Sequence, residues 1–288
     1  MSTPPSEPPR IFQFRTGLAR RIPRFPNSAE SLQHLLSESL TTTLVHYLSW
    51  ADRFVMERPR RVVIEDTVRR HDKWPQLQES VSNLLSKASN GEPIWPHLSE
   101  LVFRRGVAIR GGFAANRWED KDQLLNTMGF YHFHLGTTTT SSGMVSRTKE
   151  LLFAEVTRDE FIALAIADHE VFAQADSEDG SVNHQRQWLW QLALERKSRD
   201  LPPGAAFMPY MISSSGHKTA IVFSAIHFAR VVQEIDPKLD DPAYRAQLYE
   251  NAGVAVPNNR KLKWALNHMD LGLVDANRVF FTLAYCKV

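Results

Sequence analysis

The chain has a single cysteine, Cys286. An internal disulfide and a cysteine-based zinc site each need more than one thiol, so both are excluded. A reducing compartment fits that usage. Long apolar runs are also missing, and no stretch is apolar enough for long enough to span a bilayer. The Pro- and Arg-rich start has no apolar core of the kind a secretory leader carries, so a cytoplasmic protein without a membrane partner is expected. Charge of one sign is scarce: the formal net charge over 288 residues is +2, which does not by itself argue for nucleic acid. Arg110-Gly111-Gly112 lacks the spacing of either nucleotide fingerprint and reads as a turn. Ser213 to Ser215 have no G-x-S-x-G elbow around them.

What is present begins with enough apolar material, 43% of residues, for a packed core. Residues 1–27 are rich in Pro, Ser and Arg and read as a disordered basic tail, with Ile11 to Phe14 able to dock on the body. Residues 28–118 read as helical. Ser28 or Asn27 caps one helix to about Glu57 on the stripe Leu32, Leu35, Leu36, Leu40, Leu44 and Leu48. Pro75 opens another through about Ala88, and Arg60 to Ile64 is a short strand or extended link. Residues 119–180 hold a short helix capped by Asp120 and closed by Gly129, then three strand-like runs. After an acidic link, residues 181–288 form a mixed block. It contains a helix over Trp188 to Lys197, strands over Ala206 to Ile212 and Ala220 to Phe223, and helices over Ile226 to Ile235, Asp241 to Asn251 and Lys261 to His268. A last strand runs from Val279 to Tyr285. The class expected is α+β: N-terminal helices, a small central antiparallel sheet, and a mixed C-terminal block.

The central stretch from Gly129 to Phe172 carries the chemistry. Over Phe130 to Leu135, successive side chains alternate: Tyr131, Phe133 and Leu135 take one face, His132 and His134 the other. Glu150 to Val156 is a second run. Phe161 to His169 is a third, with Ile162, Leu164 and Ile166 on one face. Ala163, Ala165, Ala167 and then His169 take the other, so small side chains would floor a groove. The tight link between the second and third runs favours a hairpin. The link between the first and second, TTTTSSGMVSR, reads as a mobile loop. Imidazoles titrate near neutrality, so His132, His134 and His169 are candidate general base and acid, with Arg147 and Lys149 as phosphate-neutralising cations. Phe172 is a candidate base-stacking ring. Arg104, Arg105, Arg110 and Arg117 are candidate substrate contacts.

The order of short helix, His132-Phe133-His134-Leu135-Gly136, the strand Leu151 to Val156, then Ile162 to Ile166 with His169 before Val171-Phe172, resembles the sheet of the RelE-type toxin endoribonucleases. That sheet often reads R-x-R-x-G, a strand, and I-x-x-I-x-H/R-x-x-V-Y. The resemblance covers residues 129–172 only. H-F-H-L-G with R-T-K-E-L-L-F-A also looks like a group of uncharacterised bacterial proteins. The resemblance implies a metal-independent RNA endonuclease without a cofactor, an RNA substrate, a bacterial cytoplasmic setting, and an antitoxin or regulatory protein as partner. Two other readings stand beside it. In one, the basic start and the Arg104 to Arg117 segment make a non-catalytic nucleic-acid- or protein-binding module. In the other, His132, His134 and His169 form a three-His site of a metal-dependent hydrolase.

Overall fold

The computed structural model describes residues 7–109, 121–172, 183–199, 201–205, 211–257 and 261–286. In chain order come α1 (Pro9–Arg21), β1 (Arg24–Phe25), α2 (Ala29–Ser37), α3 (Leu40–Ala51), β2 (Arg61–Ile64), α4 (Asp66–Arg69) and α5 (Trp74–Asn90). Then follow α6 (Leu101–Arg104), β3 (Val107–Ala108), α7 (Gln123–Met128), β4 (Phe130–His134), β5 (Glu150–Val156) and β6 (Glu160–Asp168). Last are α8 (His184–Ser198), α9 (Thr219–Ile235), α10 (Pro242–Asn251), β7 (Lys263–Asn267), β8 (Asp270–Val274) and β9 (Phe280–Ala284). The class is α+β, as expected. The chain divides into two compact units that interleave along the sequence rather than follow one another. Met1–Asp52, Phe103–Lys121 and Ser213–Val288 make the first. Arg53–Val102 and Asp122–Ile212 make the second.

In the first unit the expected disordered tail is replaced, from Pro9 onward, by helix α1. Proline suits its first turn because the N–H there would be unbonded anyway. Ile11, Phe14, Leu18 and Ala19 fall at helical spacing and are buried. The arginines that make the segment look disordered are engaged. Arg15 meets Glu7 at 2.7 Å and donates to the carbonyls of Leu36 and Glu38; Arg10 pairs with Asp236 and Asp240. The single helix expected from Ser28 is two. Ser28 caps the first through the Ser31 N–H, and Ser39 caps the second through the Thr42 N–H. Ala220 to Phe223, expected as a strand, opens α9, whose buried Ile221, Ala225, Phe228 and Val232 keep a helical period. The partner strand expected over Ala206 to Ile212 falls mostly outside the described residues. The expected short helix at Lys261 to His268 is strand β7: Leu262, Trp264 and Leu266 are buried while Lys261, Lys263 and Asn267 are exposed, a period of two. Strands β7, β8 and β9 form an antiparallel sheet whose Trp264, Leu271, Leu273 and Phe281 share one core with α1, α3 and α9. At the start of α9, Lys218 Nζ meets Asp52 Oδ2 at 2.7 Å with both side chains buried, each charge satisfying the other.

The second unit holds the central sheet, in the order β2, β6, β5, β4. The antiparallel hairpin of β5 and β6 and the antiparallel pair β4–β5 are as expected. Strand β2 adds to the far side of β6 in parallel. Both faces are covered. Phe133, Leu135, Leu152, Phe161 and Ile166 pack with Val81, Leu84 and Leu85 of α5. Phe130, Leu151, Phe153, Leu164 and Ala165 pack with Leu124 and Met128 of α7 and Leu189 and Ala193 of α8. The expected alanine-floored groove is absent. Phe153 pairs with Ala165 but Ala154 pairs with Ala163, so Leu164 is an extra residue in β6. Such a bulge reverses the alternation: Ala163 and Ile166 lie in the α5-side core, Ala165 and Ala167 in the other.

The loop between β4 and β5, expected to be mobile, is tied down. Thr139 bridges Val145, the Val145 N–H donates to Pro96 O at 2.9 Å, and Met144 and Val145 are buried. Gly136 is what lets it fold back. A Cβ there would run into the carbonyl oxygen and side chain of Ser146. Gly136→Ala is therefore expected to destabilise the protein by about 1–3 kcal/mol. A lower urea midpoint at unchanged slope is the sign; an unshifted midpoint contradicts the close approach.

Candidate functional site

Three chain ends meet because the sheet is antiparallel. The end of β4, the start of β5 and the end of β6 share one edge, since His134 pairs with Leu151 and Leu151 with Ala167. Strand alternation sends Tyr131 and Phe133 toward α5, and His132 and His134 toward the opposite face, as the sequence predicts. After β6 the backbone tightens into a 3-10 turn over His169–Phe172, held by the Glu170 N–H donating to Asp168 Oδ1 at 2.9 Å. That turn brings His169 back over the edge.

His134 and His169 stack with ring centroids 5.4 Å apart and planes 29° apart. His169 Nδ1 lies 3.1 Å from the carbonyl oxygen of Lys149. A carbonyl only accepts, so Nδ1 carries the proton and Nε2 keeps its lone pair. Nε2 faces Arg147 Nη2 at 3.4 Å. Arg147 is exposed and His169 half-buried, while His134 retains 5% of its surface. The cluster therefore opens to solvent on the Arg147 side. His134 Nδ1 is buried with no hydrogen-bond partner among the described residues. Burial, then the neighbouring His169, His132 and Arg147, push the His134 pKa down to about 4.

His132 lies deeper. Its ring sits edge-on to Phe172 at 4.9 Å, and Nδ1 is 3.5 Å from Asp122 Oδ2. Burial pushes its pKa down, and the Asp122 carboxylate partly offsets this. Asp122 is itself fixed, because its other oxygen accepts the Leu125 N–H at 3.0 Å and caps α7. The Phe172 ring is 38% exposed. His97 supports the backbone from the other side: its Nδ1–H donates to the His134 carbonyl at 2.8 Å, and burial lowers its pKa.

The structure thus brings together His132, His134, His169, Arg147 and Phe172. Lys149 contributes its carbonyl, while its exposed ammonium lies 3.8 Å from Asp168. Arg104 and Arg105 belong to the first unit and not to the unit that holds this cluster; Arg105 lies over the Phe25 ring at 5.0 Å. Arg110 and Arg117 lie outside the described residues. Sequence reasoning missed Asp122, His97 and the buried Arg53, whose charge acts on His132. Only Asp122 left a signal, as a cap residue two positions beyond the Asp120 expected in that role. Among the described residues no three His, Cys, Asp or Glu side chains are arranged to hold a metal ion, because His132 is turned to Phe172 and Asp122. The three-His metal reading is therefore not supported.

The arrangement offers a lone pair on a half-buried imidazole, two further imidazoles kept neutral, and a guanidinium at the mouth. This is a setting for an anion whose reacting group must lose a proton. No family model, no curated protein and no solved structure matches the chain.

Above pH 6.5 His134 is neutral folded or unfolded. Between 6.5 and about 4 the unfolded chain takes up a proton that the folded chain refuses. Stability present at pH 7 is therefore lost as the pH falls through that window, by about 1.4 kcal/mol per pH unit for one such group. An NMR titration is expected to place the His134 ring near pH 4; a midpoint of 6 or above contradicts the geometry.

Proposed function

We propose that this chain is a metal-independent, toxin-like RNA endonuclease acting at the sheet edge formed by His134, His169 and Arg147. The observation that carries the reading is the His169 ring, held by the Lys149 carbonyl so that Nε2 faces outward beside Arg147. The succession α7, β4, β5, β6 and the Phe172 turn supports it, as the element order the RelE-type resemblance implies.

The chemistry follows from those positions. His169 Nε2 takes the proton of a ribose 2′-hydroxyl as the 2′-oxygen bonds to the adjacent phosphorus. Arg147 neutralises the charge that grows on the phosphorane oxygens, with Lys149 as a second cation at the mouth. The bond from phosphorus to the 5′-oxygen then breaks. That oxygen takes a proton from His134, which has first taken one up from solvent because the bound phosphate anion raises its basicity; His169 returns the proton it accepted to solvent. The products are a 2′,3′-cyclic phosphate and a 5′-hydroxyl. Phe172 offers a face on which a base stacks, and His132 acts as a positioning residue by packing against that ring. The reading brings with it a bacterial cytoplasmic setting and an antitoxin or regulatory protein that restrains the activity.

The non-catalytic binding reading draws on the basic start, and two of its cations, Arg10 and Arg15, are engaged with carboxylates. It is the weaker of the two. Purified protein in EDTA is expected to cut single-stranded RNA and leave cyclic-phosphate ends. His169→Ala should lower the rate by about 10²–10⁴-fold, and Arg147→Ala by a similar factor. Undiminished cleavage by the His134→Ala/His169→Ala double variant, with growth inhibition also unchanged, would rule the assignment out.

A further inference from the structure

The first unit holds a cavity of about 690 Å³ that the sheet-edge chemistry does not use, a size in the usual range for small-ligand sites, roughly 300–1,000 Å³. Arg10 and Gln13 of α1, Arg245 of α10, Lys261 and Leu262 just before β7, and Lys263 at its start line it with Leu239. Four of the seven lining residues are cations, and no carboxylate lines the cavity among the described residues. Two carboxylates do stand behind one wall. Arg10 Nε meets Asp236 Oδ1 at 3.0 Å and Nη1 meets Asp240 Oδ1 at 2.7 Å. Asp236 is held in turn by Trp264 Nε1 at 2.8 Å. That network positions Arg10 and offsets its charge.

The other three cations are placed differently. Arg245 is anchored by Nη1 donating to the Leu239 carbonyl at 2.8 Å, while its Nε is buried with no acceptor. A buried donor without an acceptor is costly, so it is the guanidinium's terminal nitrogens, not Nε, that are offered toward the cavity as donors. Lys261 and Lys263 alternate with buried Leu262 and Trp264, so both project to the same exposed side of β7. Their ammonium groups add to the positive charge around the cavity.

We propose that this cavity binds a small phosphate-rich polyanion, of the class of inorganic polyphosphates and nucleoside polyphosphates. Phosphate oxygens accept from guanidinium and ammonium donors in the geometry that charge-assisted hydrogen bonds favour. The spread of cations over three elements suits a chain of linked phosphates better than one isolated anion. The proposal is independent of RNA cleavage, since its residues belong to the unit that does not hold His134.

The test is calorimetry on the full chain with inorganic tripolyphosphate, ATP and adenosine as separate probes. Tripolyphosphate and ATP are expected to bind, more weakly as salt rises, and adenosine is not. Tighter binding of ATP than of tripolyphosphate assigns a nucleotide; equal affinity assigns the polyphosphate chain alone. Lys261→Gln with Lys263→Gln, both at exposed positions that spare the core, should weaken binding about tenfold or more. An unchanged unfolding midpoint shows that the variant remains folded. No binding of tripolyphosphate at about 1 mM, affinity unaltered in the double variant, or adenosine binding as tightly as ATP would each overturn the proposal.

Discussion

Two-sided burial of the central strands is the constraint from which the rest of the second unit follows. Leu151, Leu152, Phe153 and Ala154 of β5 are fully buried, and so are Phe161, Ala163 and Ala165 of β6. Consecutive side chains point to opposite faces, so a run buried at every position needs cover above and below. Helix α5 supplies one cover, and α7 with α8 the other. A substrate cannot lie on such a sheet. Polar chemistry is confined to the ends of the strands, where the ladder stops and the chain turns. His134 is the last residue of β4, His169 the first beyond β6, and Arg147 lies three residues before β5. Their convergence is a result of antiparallel topology and not of closeness in sequence.

Burial also sets the charge state of what converges. An imidazolium needs solvent or a carboxylate to be stable. His132 has Asp122, but its burial outweighs that partner. His134 is depressed by its burial and then by its charged neighbours, the other imidazoles and Arg147. The result is two neutral rings, His132 and His134, beside a permanent cation. Such a group repels protons and attracts anions. In the proposed reaction, an arriving phosphate would reverse the balance by supplying negative charge, and so make the rings better proton carriers. The buried, unbonded Nδ1 of His134 is consistent with that poised condition.

Much of the second unit was legible from pattern. The alternation of Tyr131 and Phe133 against His132 and His134, the cap at Gly129, the β5–β6 hairpin and the α5 stripe all follow from local periodicity. The groove over Ala163, Ala165 and Ala167 was not legible, because the bulge at Leu164 is set by the register against Phe153 and Ala154, which alternation within β6 alone does not reveal. The first unit was harder. Helix α1 looks disordered because its arginines dominate its composition, and their partners Asp236 and Asp240 lie far along the chain. Helix α9 opens on Thr-Ala-Ile-Val-Phe, whose β-branched and aromatic residues favour a strand, and only burial at Ile221, Ala225 and Phe228 fixes the helical period. Interleaved units defeat any reading that places boundaries one after another. Of the site, the rings and Arg147 were readable. Asp122, His97 and Arg53 act through space and leave little trace in spacing.

In the proposed reaction the stacked pair His134–His169 receives a phosphodiester. The most direct measurement is the NMR titration of both rings with and without a 2′-O-methyl dinucleotide, which binds but lacks the attacking hydroxyl. The dinucleotide is expected to shift the resonances of both rings and to raise the His134 midpoint from about 4. Saturating dinucleotide that leaves both rings and the midpoint unmoved, while resonances elsewhere respond, would contradict it.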